Sequence, residues 1–221
     1  MRIEPERAVR IETDGVGLEG DLSIPEGALA LVLFAHGSGS SRFSPRNRYV
    51  ARQLNKRRLA TLLLDLLTPD EEDQDSLPGY MRGRLRFDIN LLAARLVGAT
   101  DWAAREPGTR ALAPGYFGAS TGAAAALVAA AERPQTVGAV VSRGGRPDLA
   151  GAALVRVEAP TLLIVGGNDV QVIELNRAAL AQLRCERHLV IVPGATHLFK
   201  EPGALDEVAR LAREWFQRHL I

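Results

Sequence analysis

The stretch that decides the fold is "APGYFGASTGAAAALVAAA", residues 113–131. Its centre, Gly118-Ala119-Ser120-Thr121-Gly122, reads G-x-S-x-G. An apolar run leads into it and an alanine-rich run leads out. That order predicts a strand over 112–118, a sharp corner at Ser120 and a helix over 120–132. A serine on such a corner sits in a strained backbone conformation, so its neighbours two residues away must be small. Gly118 and Gly122 meet that demand. The plainer alternative is a glycine-rich turn whose serine N-caps the helix. The rest of the chain has to separate the two.

Outward from this corner, short apolar runs alternate with helical patterns. "ALALVLFAHG" (28–37), "LATLLLDLL" (59–67), "TVGAVVSRGG" (136–145), "APTLLIVGG" (159–167) and "HLVIVPG" (188–194) read as strands. Runs of this kind suit strands buried on both faces. Residues 44–58, 86–106, 171–184 and 203–219 read as helices, the first with Ser44 as N-cap and Pro45 at the first helical position. Residues before position 25 read as a glycine-turned hairpin at one sheet edge. The alternation predicts one α/β domain over residues 1–221, doubly wound, with a mostly parallel sheet covered by helices on both faces. The one long irregular stretch is "LTPDEEDQDSLPGYMRGRLR" (67–86), read as a solvated loop or a lid.

Composition sets the outer bounds. A net charge of +1 gives no general attraction to nucleic acid or an anionic membrane. No apolar run reaches the ~18 residues of a membrane span. The charged start "MRIEPERAVRIETDG" lacks the apolar block of a signal peptide. Cys185 stands alone, which excludes an internal disulfide and suits a reducing compartment. The expected location is therefore the cytoplasm. No cysteine or histidine cluster has metal-ligand spacing, and "GYFGASTG" fits neither a dinucleotide fingerprint nor a P-loop. Neither a metal nor an organic cofactor is expected.

In an open parallel sheet, functional groups gather beyond the carboxyl ends of the strands. One strand ends in His36-Gly37-Ser38-Gly39, another in Ser120, another in Asn168-Asp169, and the last in "VPGATH" with His197. Serine, aspartate and histidine thus share one rim, in the chain order Ser, Asp, His. A serine hydroxyl needs a base to take its proton; His197 can be that base, and Asp169 can fix its tautomer. The Thr121 amide, directly after the serine, and the Ser38 amide are the candidate oxyanion donors. Each residue has a plainer reading. Asp169 can be a turn or cap residue, with Asp206 and Glu174 as fallback acids, and His197 can be a loop histidine. His36 is expected to tie the Ser38 loop.

These residues resemble the α/β-hydrolase superfamily, and more narrowly its dienelactone hydrolase-like branch. The resemblance runs from "LVLFAHGSGSSR" through "GYFGASTGAAAAL" and "LLIVGGND" to "VPGATHLF". It implies a sheet of about eight strands with the second antiparallel, and a Ser120–His197–Asp169 triad. Dienelactone hydrolase itself uses a cysteine, so Ser120 at the matching position favours a general serine esterase acting on a small ester, thioester or lactone. Relatives carrying "HGSGSSR…SPRNRYVA" occur fused to a phosphoribosyltransferase-like domain, which suggests a functional association with such an enzyme. Two alternatives stay open: an acyltransferase or amidase on the same residues, and a non-catalytic accessory domain of a phosphoribosyltransferase-type system. A homodimer is also open.

The 141–160 stretch is too short for a large cap domain, so an open site is expected. Arg143, at a strand end beside the corner, and Arg42, after the Ser38 loop, are candidate contacts for an anionic substrate. The alternative for Arg143 is an ion pair with Asp65 or Asp148. Tyr80, with Met81, would line the acyl pocket if residues 67–86 fold over it.

Overall fold

Continuous apolar runs become the central strands because both faces are covered. The structure, a computed structural model, describes residues 6–78 and 83–221. It begins with β1 (Arg7–Thr13) and β2 (Val16–Ser23), an antiparallel hairpin. Then come β3 (Ala30–Ala35), α1 (Pro45–Asn55), β4 (Leu59–Leu64), α2 (Pro69–Ser76) and α3 (Ile89–Ala103). The second half runs β5 (Ala113–Ala119), α4 (Thr121–Glu132), β6 (Ala139–Arg143), β7 (Thr161–Gly166), α5 (Val170–Gln182), β8 (Arg187–Val192) and α6 (Ala204–Leu220). A 3-10 segment, Pro147–Arg156, joins β6 to β7. The eight-stranded sheet has the order β1-β2-β4-β3-β5-β6-β7-β8. β2 meets β4 antiparallel, and every pairing from β4 through β3 to β8 is parallel.

Period-two alternation explains β3. Leu31, Leu33 and Ala35 enter the core against α3 and α4, while Val32 and Phe34 enter the core against α1 and α6. Each fully buried leucine is worth ~1.5–3 kcal/mol of transfer free energy. Residues Thr121 to Ala131 of α4 are all buried, which their small side chains permit. The parallel strands bring their carboxyl ends to one rim, with Ala35 level with Gly118 and Ala119 level with Arg143.

The stretch 67–86 is less irregular than expected. Thr68 and Glu71 form a reciprocal capping box that starts α2, with Pro69 in its first turn. Only Asp75 of this helix is buried, so no apolar period announces it. Asp75 accepts the Leu85 amide at 2.7 Å and pairs with Arg86, which closes the excursion onto itself. Tyr80 and Met81 lie outside the described residues.

Candidate active site

The corner after β5 has the geometry that its glycines imply. Ser120 has φ 51° and ψ −121°, and its side chain makes no capping bond to α4. A Cβ on Gly118 would lie 2.4 Å from the Ala123 Cα, and one on Gly122 would lie 2.2 Å from the Ala35 carbonyl oxygen. Only glycine lets α4 start this close to β3 and β5. The Ser120 amide donates to the Arg143 carbonyl at 3.3 Å, and the Arg146 amide donates to the Ser120 carbonyl at 3.0 Å. The strained residue is thus held from both sides, with its hydroxyl at the positive end of a buried helix.

Asp169 precedes α5 but does not cap it with its side chain. Its Oδ2 lies 2.7 Å from the His197 Nδ1. With the proton on Nδ1, the Nε2 lone pair is left for a second partner. The His197 loop is clamped to the end of β7. Gly167 donates to the Val192 carbonyl at 2.8 Å, and the Asn168 amide donates to the Ala195 carbonyl at 2.9 Å. Phe199, 2% exposed, anchors the loop's far side. His36 ties the neighbouring loop as expected. Its Nε2 accepts the Leu66 amide at 3.1 Å, which leaves the proton on Nδ1 to donate to the Gly37 carbonyl at 2.9 Å.

A cavity of about 300 Å3 opens above this rim. Its walls come from the β5 end (Ala119, Ser120), the loop after β3 (Gly37, Ser38, Ser40) and the β6 end (Arg143), with Arg46 and Asn47 of α1. His197 and Leu198 complete it. A larger depression of about 480 Å3 lies toward the opposite ends of the strands, around His188, Val190 and Trp215, and contains none of these groups. Among the described residues the Ser120 hydroxyl has no hydrogen-bond partner, an open arrangement frequent in sites without substrate. Among the described residues, no three His, Cys, Asp or Glu side chains converge where a metal could be held.

Two expected contacts stand differently. The Ser38 amide is engaged, donating to the Thr121 Oγ1 at 2.8 Å. Arg42 lies outside the cavity. Its guanidinium pairs with Asp65 and lies 3.7 Å from both Asp21 and Glu19. Those carboxylates are nearer than the rim and take its charge. Arg143 does line the cavity, and neither carboxylate expected of it is its partner, since Asp65 pairs with Arg42 and Asp148 with Arg146. Arg46 and Asn47 were not anticipated. The readable signal was the Ser44-Pro45 helix start, which sets the first turn of α1 beside the rim.

No protein-family model matches the chain. Two Mycobacterium tuberculosis proteins, from strains H37Rv and CDC 1551, are 56% identical over 213 residues, 96% of this chain. They are named provisionally as phosphoribosyl transferases, and the chain spans 46% of their length. Among solved structures, Est1E from Butyrivibrio proteoclasticus shares the fold. Its TM-score is 0.77 at 18% identity, over 96% of this chain and 98% of that one. The dienelactone hydrolase from Anabaena variabilis ATCC 29413 is 61% identical, with TM-score 0.95 over 100% of both chains. Identity of that extent, over the same eight-stranded sheet, makes this chain a member of the dienelactone hydrolase family within the α/β-hydrolase fold.

Proposed function

We propose that this chain is a serine hydrolase that cleaves a small carboxylic ester, thioester or lactone through an acyl-enzyme on Ser120. One observation carries the reading: Ser120, strained at φ 51°, faces the same cavity as His197, whose Nδ1 sits 2.7 Å from Asp169. The Ser120 Oγ attacks the carbonyl carbon as its proton passes to the His197 Nε2. The imidazolium is stabilised by Asp169 and protonates the departing alkoxide or thiolate. A water then gives a proton back to His197 as it attacks the ester, and the acid leaves with Ser120 restored. The Thr121 amide holds the oxyanion, joined by the Ser38 amide as the carbonyl shares it with the Thr121 hydroxyl. Each such donor is worth ~2.7–4 kcal/mol in the transition state. The transferase name of the longer relatives belongs, in this reading, to the part of their length that this chain does not span.

The test is intact mass after treatment with a fluorophosphonate. One adduct is expected on the native chain and none on Ser120→Ala, with ester turnover lost by ~10⁴-fold or more in that variant. A folded native chain that takes no adduct would sink the reading. Transfer products appearing in the presence of added alcohols or amines would move it to an acyltransferase.

A further inference from the structure

We propose that Asn176, buried on α5, is a positioning residue for the hydrolase: its side-chain amide fixes the turn after β6, and that turn sets Ser120 against His197. The proposal rests on the hydrolase reading above and adds to it a residue outside the cavity.

The turn from Arg143 to Arg146 touches both reacting partners. Its two ends hold the Ser120 backbone, since the Arg143 carbonyl accepts the Ser120 amide and the Arg146 amide donates to the Ser120 carbonyl. Its middle packs on His197. A Cβ on Gly144 would lie 3.1 Å from the His197 carbonyl oxygen and 3.5 Å from the His197 Nδ1. The next residue packs on the helix that Ser120 begins: a Cβ on Gly145 would lie 2.6 Å from that of Ala123. A shift of this turn would therefore move the serine and the histidine relative to each other.

Asn176 holds the turn from behind. It is 0% exposed, and its Nδ2 donates to the Gly145 carbonyl at 3.0 Å and to the Val172 carbonyl at 2.8 Å. The second bond stays within α5, and the first crosses to the turn. Asn176 stands two helical turns after Asp169. One helix thus follows directly on the acid that orients His197 and carries the amide that fixes the turn.

The cost of this arrangement points to function rather than to packing. The Asn176 Oδ1 is buried with no partner among the described residues, and so is the Ser142 Oγ, which lies 2.0 Å from where a Gly145 Cβ would be. Two orphaned polar atoms around one turn destabilise the fold. Proteins break rules of this kind chiefly at functional sites and offset the cost elsewhere.

The test compares Asn176→Thr with the native chain in the hydrolysis of 4-nitrophenyl acetate. Threonine is close to asparagine in volume, and its hydroxyl bonds the carbonyl four residues back in a helix. It is one atom too short to reach the Gly145 carbonyl as well. The kcat should fall about ten- to a hundredfold with KM within about twofold of native, because the cavity wall is unchanged and only the reacting geometry is lost. The rate of fluorophosphonate labelling should fall by the same factor, since it needs the same attack. Ala179→Gly is the control. It destabilises α5 at a site 1% exposed, leaves the bond to Gly145 in place, and should keep the native kcat at temperatures where both variants are folded. A kcat for Asn176→Thr within about twofold of native, a loss carried by KM instead, or an equal loss in Ala179→Gly would overturn the assignment. Should Asn176→Thr not fold, Asn176→Ser, smaller and equally able to bond Val172, is read by the same criteria. A native chain that takes no fluorophosphonate fails the hydrolase reading itself, whereas a labelled native chain beside an unmoved Asn176→Thr loses the positioning role alone.

Discussion

Two arginine groups flank the start of α1 and are treated in opposite ways. Arg42 and Arg48 sit among Glu6, Glu19, Asp21 and Asp65, and Phe43 lies under both guanidiniums. Four acids answer two bases, so that cluster is satisfied within the fold. Arg46, which falls between Arg42 and Arg48 in the sequence, and Arg143, at the end of β6, line the cavity instead, yet among the described residues no acid answers them. The difference teaches that cationic charge at a strand end is not by itself a binding feature. What separates the two groups is whether the chain supplies the counter-charge.

The largest effect should come from breaking the satisfied group. Arg42→Met would leave Asp65, Asp21 and Glu19 without their shared cation. The Arg42 side chain is 18% exposed and Asp65 17%, so solvent relieves part of the loss. A destabilisation of about 2–3 kcal/mol is expected, below the range for a fully buried pair. Urea unfolding would measure it, with the midpoint lowered and the slope unchanged. An unmoved midpoint would mean that solvent answers these carboxylates without Arg42, and the comparison would break.

The opposite sign is expected at the unsatisfied group. Arg143→Met removes a buried charge without orphaning a charged partner, since its only hydrogen bond from the side chain among the described residues is the long one to Asn47. Stability of the free protein should rise by about 1–2 kcal/mol, read as a Tm increase of about 2–8 °C. A Tm that falls would mean the guanidinium is structural, and the two arginine groups would then be alike.

The same distinction marks what could be read from the chain. The alternation of strands and helices, the edge hairpin and the placing of Ser120, Asp169 and His197 at strand ends follow from local patterns: apolar runs, glycine spacing and what each strand ends in. Helix α2 escaped because its signal is not apolar. It is announced by Thr68 and Glu71, a capping box inside an acidic run that reads as solvated loop. Arginine partners were not legible for a different reason. Asp65 finds Arg42 from 23 residues away, and Asn47 finds Arg143 from 96. No local pattern encodes such meetings. Arg143 could be placed at the rim from the strand that carries it, but its lack of a counter-ion is a property of the packed chain.

Within the open cleft one polar pair is nonetheless closed, and it gives the smallest test. The Ser38 amide donates to the Thr121 Oγ1 at 2.8 Å, joining residues 83 apart. The bond can act in two ways. It can hold the loop after β3 in place for the oxyanion, or it can cover a donor that the oxyanion needs. The Gly37 carbonyl is already held by His36, itself tied to the Leu66 amide, and the Ser40 amide donates to that same carbonyl at 3.1 Å, so one side of the loop is braced. Thr121 supplies the brace on the other side. Thr121→Val keeps the shape and both amides but deletes the acceptor. A neutral hydrogen bond of this kind is worth about 1 kcal/mol, so kcat should fall about fivefold with KM little changed. Thr121→Ser, which keeps the hydroxyl, should restore most of it. A rise in kcat for Thr121→Val would show instead that the hydroxyl covers the Ser38 amide, and that even the satisfied pair in this cleft opposes the chemistry around it.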